Sequence, residues 1–167
     1  RRSSDLIEEA TQGVYSHVGI LGESLKDVWE AVPGSGVRHV SLQHFLDESA
    51  RDAAGKPYVR VFRAPCNWPD VRNRVQALEG RPYDYAFLPG DASLYCSELV
   101  FECYRDAAGA PLFSSVAMTF KGPDGVTVPY WVAHFDSLGV SIPEGAPGTN
   151  PNDLSHSSLL TPVPVRW

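Results

Sequence analysis

The chain has 167 residues, 43 % hydrophobic and 20 % charged, which suits one folded domain with its own core and excludes wholesale disorder. A formal net charge of −6 leaves no basic stripe to neutralise phosphates, so no nucleic-acid partner is expected. No apolar run approaches a membrane span, and no signal peptide is visible, although a leader could have been removed ahead of Arg1-Arg2-Ser3.

Residues 4–11 predict a short helix, with Asp5 and Glu8 at capping-box spacing and Gly13 as its stop. Residues 17–21 predict a strand, Gly22-Glu23-Ser24 a turn, and residues 26–32 a second strand closed by Pro33-Gly34-Ser35-Gly36. The two strands form an antiparallel hairpin in this reading. Residues 37–40 predict a third strand, and Ser41 caps a helix that carries Leu42, Phe45 and Leu46 on one face. In residues 58–64 Val59 and Val61 alternate with Tyr58 and Phe62, the period of a strand. Pro69 suits the first turn of a helix with Val71, Val75 and Leu78 inward, ended by Gly80. Cys96, Leu99, Val100, Cys103 and Ala107 follow helical spacing until Gly109 and Pro111 stop it. Beyond Pro111 glycine and proline are frequent, yet Phe120, Tyr130, Trp131, Phe135 and Leu138 are too apolar for a free linker. Ordered loops and short elements are expected to wrap the core there.

The cysteines are Cys66, Cys96 and Cys103, an odd number that gives no disulfide framework. Cys96 and Cys103 stand two turns apart on one predicted helix, too far to bridge. No CxxC pair and no His/Cys spacing of a zinc site occurs, so no metal is expected.

Cys96 stands where a loop turns into a helix, in Leu94-Tyr95-Cys96-Ser97-Glu98-Leu99. The helix dipole favours a thiolate there, and free N–H groups can hold an oxyanion. The other reading is a small buried core residue. Cys103 is assigned to the core, and Cys66 to a Pro/Asn/Trp loop. His17 opens the apolar strand of Ser16-His17-Val18-Gly19-Ile20 and can face a cleft at the sheet end, as the base for Cys96, or can be a packed sheet histidine. His39, His44, His134 and His156 lack this setting. Glu30, flanked by Val28, Trp29, Ala31 and Val32, can meet His17 across the hairpin and fix its tautomer, or stand on an exposed edge. Tyr83, in Gly80-Arg81-Pro82-Tyr83-Asp84-Tyr85, can donate to a substrate or oxyanion, or anchor its loop.

Together these stretches resemble the NlpC-type cysteine peptidases, in particular their circularly permuted YiiX/YebB-like branch. The likeness lies in Tyr15-Ser16-His17-Val18-Gly19, Glu30-Ala31-Val32, Pro82-Tyr83-Asp84 and Tyr95-Cys96-Ser97-Glu98, with histidine ahead of cysteine in the permuted order. It covers the first two thirds of the chain well, and Ile142-Pro143-Glu144-Gly145 also looks like that branch. The Gly-Asp strand that usually opens the family is not found. The resemblance implies an α+β, papain-like domain over residues 1–167, an antiparallel sheet or small barrel packed on the nucleophile helix, with the tail from about residue 111 wrapping it. It implies Cys96 as nucleophile, His17 as base, Glu30 as the group orienting the imidazole, and Tyr83 as a substrate or oxyanion contact. No metal or organic cofactor is implied. The implied substrate is a small peptide, including cell-wall peptides, or an aminoacyl amide, in the cell envelope or exported. Related permuted enzymes act on membrane lipids as acyltransferases or ester hydrolases, with histidine at the place of Glu30 and an Asn-Cys-Glu-His stretch where this chain has Tyr95-Cys96-Ser97-Glu98. A third alternative is a binding module without turnover.

Overall fold

A three-stranded antiparallel sheet positions everything that follows: β1 (Gly19–Leu21), β2 (Asp27–Val32) and β3 (Gly36–Ser41), in that spatial order. The computed structural model describes residues 13–90 and 92–166, so the helix expected over residues 4–11 lies outside it. Strand β1 is shorter than the apolar pattern predicts, because pairing with β2 begins at Gly19, opposite Glu30. His17 therefore stands just before the ladder rather than within it. The second hairpin closes with Val32 opposite Gly36, which sets Glu30 opposite Arg38 and Trp29 opposite His39. Ser41 caps α1 (Leu42–Glu48) as its sequence indicates, its side chain accepting the His44 N–H.

Gly36 has φ +69, and a Cβ there would lie 2.0 Å from the Arg81 carbonyl oxygen. Only glycine permits this approach. Residues 80–84 run against the start of β3, with Val37 N–H donating to Arg81 O and Gly80 N–H to Val37 O, both at 2.8 Å. The same loop then pairs with Leu94, through Leu94 N–H to Pro82 O at 3.0 Å and Asp84 N–H to Leu94 O at 3.3 Å. Tyr83 is thereby tied both to the sheet and to the approach of the cysteine helix.

Helix α2 (Trp68–Leu78) buries Val71 and Val75, as its spacing predicts. Helix α3 (Cys96–Cys103) packs between α2 and the sheet, with Leu99 and Cys103 fully buried among Ile20, Trp29, Ala31 and Val37. It ends four residues before Ala107. The Asp106 side chain accepts the N–H groups of Ala108 and Ala110, both at 2.9 Å, so the backbone turns instead of continuing the helix. Strand β4 (Val61–Arg63) pairs with β7 (Thr161–Val163) over three residues only, less than residues 58–64 predict. Pro162 sits inside β7 and Pro164 follows it, and neither has an N–H to extend the ladder.

Residues beyond Pro111 carry β5 (Val116–Ala117), α4 (Pro129–Leu138), β6 (Pro147–Gly148) and α5 (Pro151–Ser155). Trp131 and Phe135 of α4 join Phe120 and Val128 in a second apolar cluster, against which Phe87 and Met118 pack. Leu154 and Leu160 return to the main core.

Candidate active site

Strands β2 and β3, with the segment just ahead of β1, contribute one row of charge. Glu30 lies directly across the ladder from Arg38, and diagonally from His17, two residues before its other partner Gly19. The Glu30 carboxylate is 2 % exposed, and both its oxygens are engaged. Oε2 meets His17 Nε2 at 2.6 Å, and Oε1 accepts from Arg38 Nε at 3.0 Å and Nη2 at 2.7 Å. Arg38 also donates to Glu48 at 2.6 Å, so a surface carboxylate steadies the guanidinium. Burial alone would raise the Glu30 carboxyl; the His17 and Arg38 contacts outweigh it and hold the group below its ordinary range.

His17 keeps about a third of its side chain open (35 %) and packs obliquely on Phe45 at 5.9 Å. Burial disfavours its charged form, but hydrogen bonds to Cys96 and Glu30 reverse that and push the imidazole up to about 10. Since Nε2 serves Glu30, Nδ1 is the nitrogen left for Cys96. Cys96 is 6 % exposed and is the first residue of α3. Tyr95, the cap residue, offers no side-chain capping bond, and the first helical bond runs from Leu99 N–H to Tyr95 O. The N–H groups ahead of Leu99 lie outside the helical ladder, beside the sulfur. Burial first, and then the nearby Cys96, push the Tyr83 phenol far above its ordinary value, so its O–H stays a donor.

The structure therefore brings Cys96, His17, Glu30 and Tyr83 into one neighbourhood. It disperses the other histidines. His39 stacks on Trp29 at 4.0 Å and meets Asp27, His44 faces Glu48, His134 donates to the Tyr85 carbonyl, and His156 ends α5. Cys103 is fully buried, its thiol pushed up to about 12 by burial, and Cys66 is exposed in its loop. Sequence reasoning missed Arg38, although a count back from the turn at residues 33–36 places it opposite Glu30. It also missed Asn152, which is 4 % exposed and fixes the approach to His17. Asn152 accepts the N–H groups of Val14 and Tyr15 and donates to Tyr15 O, all at 2.9 Å.

Two hollows flank the site. Cys96 opens on a cavity of about 270 Å³ walled by Tyr83, Phe87, Met118, Phe120 and Trp131. His17 and Glu30 line a larger groove of about 930 Å³ with apolar walls that include Phe45, Val100 and Phe113.

Residues 1–163 match the family described as permuted papain-like amidase enzyme, YaeF/YiiX, C92 family. The chain belongs to this family. Its mixed helix-and-sheet architecture is the α+β class that its sequence predicts, and the match runs through the tail as well as the first two thirds. The uncharacterized protein YiiX of Escherichia coli (strain K12) is 32 % identical over 111 residues, 64 % of this chain and 52 % of that protein. The chain thus spans about half the length of this curated relative. A crystal structure of metalloprotein yiiX from Escherichia coli O157:H7 shares the fold, with TM-score 0.73 and 23 % identity over 100 % of this chain and 92 % of that one. Among the described residues, no group of three His, Cys, Asp or Glu side chains is placed to hold a metal ion.

Proposed function

We propose that the protein is a cysteine amidase or peptidase that cleaves a peptide-like amide through a thioester on Cys96. The observation that carries this reading is the imidazole of His17, hydrogen-bonded to buried Glu30 at 2.6 Å and with its charged form supported by Cys96, the residue that opens α3. The Cys96 sulfur attacks the amide carbonyl. The oxyanion meets the backbone N–H groups at the start of α3, with Tyr83 O–H as a further donor. As the C–N bond breaks, the His17 imidazolium gives its proton to the departing amine. Water, deprotonated by the now neutral imidazole, hydrolyses the thioester and restores the thiol. Glu30 holds the ring orientation and supports its charge, and Arg38 in turn fixes Glu30. Family membership supports the amidase class. Peptides of the cell wall or aminoacyl amides, and a site in the cell envelope or outside the cell, follow from the resemblance.

The apolar groove beside His17 favours a second reading, an acyltransferase or ester hydrolase acting on lipid. The groove walls do not include Cys96, whereas the cavity that does is about 270 Å³, at the small end for ligand sites. The amide reading therefore stands first.

Alkylation separates enzyme from binding module. Cys66 is exposed and Cys96 buried, so access alone would label Cys66 first. With iodoacetamide at neutral pH, peptide mapping should find Cys96 modified at least about tenfold faster, and His17→Ala should abolish that advantage. Equal or slower labelling of Cys96 in the wild type overturns the reading. Incubation with peptide and lipid extracts, read by mass spectrometry, then decides between amide and lipid substrates.

A further inference from the structure

We propose that the cavity beside Cys96 is the acyl-side specificity pocket, and that it selects a single uncharged, bulky apolar side chain on the group transferred to sulfur. This deepens the cysteine-hydrolase reading and rests on it.

The direction follows from the chemistry. The imidazole must face the leaving amine to protonate it, and His17 lines the large groove, not the cavity. The cavity is lined by Cys96 and not by His17, which assigns it to the acyl group that stays on the sulfur once the C–N bond has broken. Its apolar wall is Tyr83, Phe87, Met118, Phe120 and Trp131, with Ser97, Thr119, Thr149, Asn150 and Asp153 along the rest of the lining, and its volume is about 270 Å³. An aromatic and thioether lining rewards apolar contact. The size suits one large side chain and not an extended chain. Asp153 is the one charged side chain among the described lining residues, so an acidic acyl group meets both an apolar wall and a like charge.

Phe87 shows that the wall is built at a cost. Its φ is +55, a region that favours glycine, so a phenylalanine there is uncommon. The backbone in this conformation sets the ring against Tyr95 at 5.3 Å, Trp131 at 5.7 Å and Phe120 at 6.2 Å. Strain of this kind persists where the surroundings fix a side chain in place. Ala117 lies at the exposed rim of the same cavity, where a larger side chain reaches inward without entering the core.

The test uses N-acetyl phenylalanyl, glycyl and glutamyl chloromethyl ketones, which alkylate Cys96 while presenting one acyl-side residue each, beside iodoacetamide. The expected result is inactivation by the phenylalanyl probe at least about tenfold faster than by the glycyl or glutamyl probe, relative to iodoacetamide. Ala117→Phe, which narrows the mouth, should collapse that ratio. Phe87→Gly, which accepts the positive φ and widens the cavity, should move the preference to a biphenylalanyl probe, with thermal unfolding as its folding control. Fast iodoacetamide labelling with no apolar preference, or a ratio unmoved by Ala117→Phe, overturns the pocket and leaves the cysteine hydrolase standing. If iodoacetamide itself shows no preference for Cys96, the hydrolase and the pocket fall together.

Discussion

Replacing Glu30 by Gln tests the coupling at the centre of the site. The change keeps the shape and one hydrogen-bond acceptor but removes the anion that faces His17 at 2.6 Å. His17 stands at about 10 in the wild type, against an ordinary 6.5, with burial opposing the rise and Cys96 and Glu30 driving it. A hydrogen bond to a charged group contributes about 1.5–3 kcal/mol and a neutral one about 1 kcal/mol, so the substitution forfeits roughly 0.5–2 kcal/mol of support for the imidazolium. At about 1.4 kcal/mol per pH unit, the His17 titration should fall by roughly 0.4–1.4 units. It should remain above 6.5, because the Cys96 contact persists. The direction is fixed by sign: losing a negative neighbour makes the charged imidazole easier to deprotonate. Arg38 keeps Glu48 at 2.6 Å, so the variant is not left with an unpaired guanidinium. NMR of histidine labelled in the ring reads the titration directly, and circular dichroism checks the fold. Once a substrate is in hand, the alkaline limb of kcat/KM should move down by the same amount. A folded variant whose His17 titrates where the wild type does would refute the coupling.

Glu30 also predicts an acid-side stability effect. Its carboxyl is lowered on folding, so its contribution is present above the ordinary 4.5 and is lost as pH falls through the folded value. Urea midpoints of the wild type should decline over that range more steeply than those of Glu30→Gln. Arg38→Met removes both bonds to Glu30 Oε1, and should slow Cys96 alkylation by about tenfold through a misplaced His17, while Arg38→Lys restores part of the rate. Asn152→Ala removes three bonds to residues 14 and 15, and should cost about 1–3 kcal/mol and expose the Val14 and Tyr15 amides to hydrogen exchange before those of β3. Gly36→Ala puts a Cβ 2.0 Å from Arg81 O and should displace the Tyr83 loop, seen as a changed Tyr83 environment in NMR and a slower reaction at Cys96.

What the chain declares locally was legible. Ser41 announces its helix, the glycine-rich stretch at residues 33–36 ends its strand, and the loop-to-helix step at Cys96 opens α3, because each depends on neighbours in sequence. Glu30 among four apolar residues likewise signalled a buried carboxylate, and Arg38 was within reach of a register count. The length of α3 was misread because Asp106 competes for the backbone with its side chain, a local bond that periodicity does not see.

By its own pattern the sequence determined the hairpins, the helix that begins at Cys96 and the likeness to a permuted papain-like family. Tertiary structure alone decided that the imidazole of His17 turns to Cys96 rather than into the sheet, because that depends on how α3 packs across β1 and β2. It also decided the walls of the cavity, which gather Phe87, Phe120 and Trp131 from segments with no shared periodicity. Apolar burial is non-directional: it draws these rings together without any one of them marking its partner in the chain.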